Sequence, residues 1–232
     1  AAAGWLVWSA TGGLAGPVRA MTTFLLAILP LLVMGQAAMV DEVPQGVSRR
    51  LLYRTSSVTL WVLALITVLA AGSGGMAAED LGLTTLAPGP FLAWTAAALG
   101  LGVAGLFVAR AAGVREGALL RWLLPRTRAE RLEFVGVALT AGITEEVVFR
   151  GFLIPVLGLA TSSWAAAVLV SSALFGFVHG YQGTSGAVRA GILGLILALP
   201  FLATGSLLPS MAAHALIDLV AGIWLAERLT AE

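Results

Sequence analysis

LEFVGVALTAGITEEVVFRGFLIPVL, residues 132–157, is long and apolar enough to cross a bilayer, yet it holds Glu145, Glu146 and Arg150 near its middle. About 20 apolar residues span the hydrocarbon core as a helix. An ionisable group at that depth costs about 2.5–3.5 kcal/mol on insertion scales, so such groups mark functional sites by default. Glu146 and Arg150 are four residues apart, one helical turn on one face, and can neutralise each other. That pair reads as a brace between helices. Glu145 points about 100° away around the helix and has no partner in the segment. A lone carboxylate there suits a general base.

Working outward, the same pattern of polar groups in apolar surroundings recurs twice. The chain has only two histidines: His179 closes SSALFGFVH (171–179) and His214 opens HALID (214–218). His214 and Asp218 are again one turn apart, so Asp218 is expected to orient the imidazole or fix its tautomer. Phe175 lies one turn before His179 as an apolar wall, and Gly180, Tyr181, Gln182 and Gly183 form a polar exit after it. Glu, Glu, Arg, His, His and Asp are an inventory for acid–base hydrolysis rather than for packing.

Composition agrees with a membrane protein. Of 232 residues, 59% are hydrophobic and 11% charged, against about 45–50% and about 25% in soluble domains. The expected fold class is all-α: a polytopic transmembrane bundle of about seven to eight helices plus an amphipathic surface helix. Spans are expected at 20–40, 55–71, 91–109, 132–157, 162–178, 188–202 and 207–225. The Arg-rich stretch 110–133 supplies the surface helix, with Leu119, Leu120, Trp122, Leu123 and Leu124 on its apolar side and Pro125 at its end. A single membrane domain, 1–232, is expected, with a catalytic core at 132–225. Residues 1–18 read either as a partial first helix or as an interfacial segment carrying Trp5 and Trp8. Gly100, Gly102 and Gly105 form a packing face, since no strand precedes them to make a nucleotide site.

Charge placement sets an orientation. The loop 41–54 holds Arg49, Arg50 and Arg54, whereas 72–90 holds only Glu79 and Asp80. Stretch 110–133 is basic again, and Arg189 and Arg228 fall in loops of matching parity. Those loops and the C-terminus are expected to face the cytoplasm, with Arg19 the one basic residue on the other side. Cysteine is absent, which removes disulfides, thiolate metal sites and a cysteine nucleophile. No basic run or soluble domain points to nucleic acid. A lipid bilayer and a membrane-associated protein or peptide are the expected partners; oligomeric state is not legible.

Two chemistries fit the residues. In the favoured one no cofactor is required: Glu145 deprotonates a water that His179 helps hold, and His214 with Asp218 stabilises the oxyanion or protonates the leaving amine. In the other, His179, His214 and Glu145 bind Zn²⁺, which activates the water. There is no HExxH pair to settle it. Outside enzymology, the same polar core would serve a non-proteolytic scaffold or immunity protein that binds a membrane peptide, or a small transporter. The paired broken helices of transporters are not evident.

TEEVVFRGFL (144–153), FGFVHGYQG (175–183) and TGSLLPSMAAHALIDL (204–219) together resemble the three signatures EExxxR, FxxxH and HxxxN/D of the CPBP family, the CAAX-prenyl-protease and bacteriocin-processing (Abi) intramembrane proteases. The resemblance implies an intramembrane endopeptidase, a bundle of about eight transmembrane helices with a catalytic cavity open to the cytosol; the chain otherwise looks bacterial, so the inner membrane is the expected location. It implies that Glu145 activates water beside His179, that His214 and Asp218 form the oxyanion and support pair, and that Glu146 and Arg150 brace the site. Asp218 stands where the eukaryotic prenyl-protein proteases have Asn. An ionised Asp cannot donate a hydrogen bond, which removes a simple amide-type oxyanion role. CAAX processing itself is not assumed.

Overall fold

The computed structural model describes residues 2–37, 46–114 and 117–229, with only the backbone described at 2, 3, 5, 35–37 and 224–229. Trp5, Arg228, residues 41–45 of the loop 41–54, and Arg115 of the basic stretch 110–133 therefore lie outside the described side chains. All regular structure among the described residues is helical. Helix α1 is Ala2–Ala10; α2, Gly16–Thr23, runs through a π-helical turn, Phe24–Ile28, into α3, Leu29–Ala37. Then come α4 (Arg49–Ser73), α5 (Pro88–Ala111), the short α6 (Ala118–Leu123) and α7 (Arg128–Glu146). A second π-helical stretch, Val147–Leu153, joins α7 to α8 (Ile154–Thr161). The chain ends with α9 (Trp164–Val178), a 3₁₀ turn at Gly180–Gln182, α10 (Thr184–Thr204) and α11 (Leu208–Leu229).

The long rods fall where the gaps between charges put them. By length and composition, Gly16–Met34, Arg49–Ser73, Pro88–Ala111 and Thr184–Thr204 can each cross a membrane, and Trp164–Val178 and Leu208–Ile223 are shorter apolar helices. The amphipathic segment is smaller than its charge pattern suggests: α5 runs on to Ala111 and α6 has six residues. At nine residues α1 is too short to span. Arg19, the charge on the unexpected side, places its guanidinium 3.8 Å from the centre of the Trp8 ring and donates to the Trp8 carbonyl at 2.7 Å.

Along α4 and α5 the packing is that of helices in an apolar solvent, with large side chains outward and small ones inward over much of their length. In α4 the buried stripe contains Ala64, Thr67 and Ala71, while Trp61, Leu65 and Leu69 are exposed. In α5 it is Thr95, Ala98 and Gly102, with Leu92 and Val108 outside. Small residues let the backbones approach, which is how helices associate when lipid already solvates leucine.

Local signals set the ends. Thr127 and Glu130 form a reciprocal capping box at the start of α7, and Ser163 accepts from the Ala166 N–H to begin α9. The arginines at the start of α4 tie it to the same end of α7: Arg49 pairs with Glu130 at 3.2 Å, and Arg50 and Arg54 pair with Glu133 at 2.7 and 2.6 Å. Arg49 also donates to the Trp122 carbonyl and Tyr53 to the Leu123 carbonyl, which fastens α6. Helices α7 and α11 meet at Gly142, where a Cβ would lie 2.8 Å from the Ala215 backbone nitrogen and 2.9 Å from the Met211 carbonyl oxygen. Only glycine permits that approach. It brings Glu146 and His214 to the same level.

Candidate active site

The central carboxylates sit where α7 gives way to the π-helical stretch. Every residue from Val147 to Leu153 is buried, and the wider turn re-aims side chains within a continuous rod. Glu146 and Arg150 are sealed, with side-chain exposures of 0% and 1%, and pair at 2.9 Å through Glu146 Oε1 and Arg150 Nη1. Arg150 Nη2 also donates to the Gly194 carbonyl of α10 at 3.2 Å, and the guanidinium carbon lies 4.4 Å from the centre of the Phe175 ring. One cation thus joins three helical segments.

The same Glu146 oxygen receives a second donor. His214 Nδ1 lies 2.8 Å from Oε1, and since the carboxylate only accepts, Nδ1 carries the proton. The structure differs here from the expectation within α11: Asp218 Oδ2 is 3.7 Å from His214 Nε2, beyond a hydrogen bond, so Glu146 rather than Asp218 fixes the tautomer. Geometry within one helix let Asp218 face His214. The contact across α7 and α11 is shorter.

His179 caps the end of α9 and donates from Nδ1 to the Phe175 carbonyl one turn back, at 2.7 Å. Its Nε2 is therefore a free acceptor. Phe175 packs on both imidazoles, with ring centroids 4.5 Å from His179 and 5.7 Å from His214. The expected wall is present and serves both.

Glu145 is the point on which the Nε2 atoms converge. Its Oε2 is 3.9 Å from His179 Nε2 and 3.8 Å from His214 Nε2, and it has no hydrogen-bond partner among the described residues. These gaps are too long for direct hydrogen bonds and of the size one oxygen atom can bridge. Exposure is graded across the cluster: His214 is 3% exposed, Glu145 13%, His179 14% and Asp218 33%. Exposure thus rises from the sealed Glu146–Arg150 brace through Glu145 and His179 to Asp218.

The structure brings together all seven residues singled out from sequence. It adds Gly194, whose carbonyl receives Arg150, and Tyr181, whose ring centroid is 5.8 Å from that of His179. Gly194 carried no chemical signal. Tyr181 was visible only as part of a polar exit.

No curated protein and no solved structure matches the chain. Residues 127–220, less than half of the chain, match the family model described as Type II CAAX prenyl endopeptidase Rce1-like, so the resemblance to the CPBP and CAAX-protease family extends through the helices that build this site, beyond its three short motifs.

Proposed function

We propose that this chain is an intramembrane endopeptidase that hydrolyses a peptide bond of a membrane-associated protein or peptide by Glu145-activated water. The observation that carries the reading is the convergence of His179 Nε2 and His214 Nε2 on Glu145 Oε2, at 3.9 and 3.8 Å, with both Nδ1 atoms already committed. A water bridging Glu145 and His179 donates one proton to each acceptor, which leaves its lone pairs directed at a substrate carbonyl. Glu145 takes a proton as the oxygen–carbon bond forms and the carbonyl π electrons move to oxygen. When the tetrahedral species collapses, the carbon–nitrogen bond breaks and the amine leaves with that proton. His214 acts as the imidazolium: its Nδ1–H stays on Glu146 and its Nε2–H donates to the developing charge.

No cofactor is required in this scheme. Two imidazoles and a carboxylate are chemically suitable zinc ligands, and each Nδ1 is anchored as in many zinc sites. The spacing is less suitable: ligand atoms on one tetrahedral zinc lie about 3.3 Å apart, and no group of three or more His, Cys, Asp or Glu among the described residues is placed to hold a metal ion. The distribution of basic loops supports a reading in which the site faces the cytoplasm from a bacterial inner membrane. The matched family's name suggests lipidated, CAAX-ending peptides as one substrate class to include.

The test uses the full chain reconstituted in vesicles with a panel of internally quenched apolar peptides, some farnesylated. Glu145→Gln is expected to lower cleavage by about 10²–10⁴-fold while the melting temperature holds, and treatment with a chelator is expected to leave the parent's rate unchanged. Full turnover by the variant ends the assignment of the base.

A further inference from the structure

We infer that the Tyr181 hydroxyl is a further catalytic group, donating a hydrogen bond to the substrate carbonyl oxygen as that oxygen becomes an anion. The inference rests on the peptidase reading above. Donors are scarce at the mouth of the site. Glu145 only accepts when ionised, and so does Asp218. The His179 Nδ1 proton is spent on the Phe175 carbonyl, and the His214 Nδ1 proton on Glu146. Arg150 is sealed behind Phe175 and already serves Glu146 and Gly194. That leaves the Nε2–H of His214, present only when that imidazole is doubly protonated, and few others for a carbonyl entering from the Asp218 side.

Tyr181 meets the need by position. It follows His179 by two residues in the 3₁₀ turn, and its ring lies at 32° to the imidazole with centroids 5.8 Å apart. Gln182 Nε2 donates to the phenolic oxygen at 3.2 Å, which fills an acceptor lone pair and steadies the hydroxyl. The phenolic proton itself has no acceptor among the described residues. At 37% exposure, Tyr181 is reachable from outside. The hydroxyl lends a hydrogen bond and keeps its proton, so no bond of the tyrosine is made or broken.

In the reconstituted full chain, Tyr181→Phe keeps the ring and removes the donor. The expected result is a kcat lower by about 10²–10³-fold, the size of losing one oxyanion donor, with KM changed less than about threefold. A kcat within about threefold of the parent overturns the inference, and so does a loss that falls wholly on KM. Glu145→Gln in the same assay reports separately on the peptidase reading. A second measurement needs no turnover. The chain has two tyrosines, Tyr53 and Tyr181, so labelling with 3-fluorotyrosine gives two fluorine resonances, assigned with Tyr53→Phe. An aliphatic phosphinate tripeptide, whose tetrahedral anion stands for the attacked carbonyl, is expected to shift the Tyr181 resonance and spare that of Tyr53. An unmoved Tyr181 resonance at saturating phosphinate overturns the inference even if peptides are cleaved.

Discussion

Glu145 and Glu146 share a peptide bond, but Glu146 accepts from Arg150 and His214 whereas Glu145 Oε2 has no hydrogen-bond partner among the described residues. Their substitutions should therefore separate stability from chemistry. Breaking a buried ion pair from one side strands the other charge, at a cost of about 3–5 kcal/mol. Arg150→Met is expected to lower stability by that amount in thermal unfolding of the detergent-solubilised chain, with catalysis lost as a consequence. Glu145→Gln is expected to melt within a degree or two of the parent. Equal destabilisation by both would show that Glu145, too, is a brace. Sequence spacing exposed the Glu146–Arg150 pair because i,i+4 neighbours meet on any helix. It could not reveal His214 as the third member, since that contact joins residues 68 positions apart.

Among the elements, α7 and α11 set the depth at which the two chemistries meet, and Gly142 sets how close those helices come. A methyl group there would be 2.8 Å from the Ala215 Cβ and backbone nitrogen, atoms that cannot turn aside. Gly142→Ala is expected to cost about 1–3 kcal/mol as an overpacked contact and to reduce activity further by drawing His214 away from Glu146. Gly136→Ala lies on the same helix with open space around its Cβ. It should leave activity intact and raise stability by up to about 1 kcal/mol, the propensity difference between the residues. Activity and unfolding of the two variants, side by side, check the argument. The π-helical stretch and the brevity of α6 were beyond sequence reading: the first follows from packing around Val147–Leu153, the second from how α5 and Pro125 divide a continuous charged stretch.

For the whole molecule, the ion pairs of Arg49, Arg50 and Arg54 with Glu130 and Glu133 join the starts of α4 and α7 outside the apolar belt. Burial pushes the Glu130 carboxyl up, but the backbone N–H groups of Arg126 and Thr127 and the Arg49 guanidinium outweigh it and hold it below its ordinary value of 4.5. A carboxyl depressed on folding contributes stability that is complete above 4.5 and fades as pH falls through the folded-state value. The melting temperature should therefore decline on acidification below pH 4.5, and Glu130→Gln should lower the plateau at neutral pH while flattening that decline. Unfolding curves between about pH 3 and 7 measure both effects. An acid limb unchanged in the variant would remove Glu130 from the account.

The all-helical membrane class and the polar groups that the structure gathers at one place were legible in the chain itself. Stretches without charge are long enough to cross lipid, and a carboxylate or imidazole inside them is too costly to be incidental. The helical period also paired Glu146 with Arg150 and put Asp218 one turn from His214. Tertiary structure alone decided which ring nitrogen faces Glu145, that Glu146 anchors His214, and that Tyr181 stands beside His179. The reason is geometric: a period of 3.6 residues fixes neighbours within one helix, but rotation and depth between helices are set by close contacts of small residues such as Gly142 with Ala215, which no local pattern encodes.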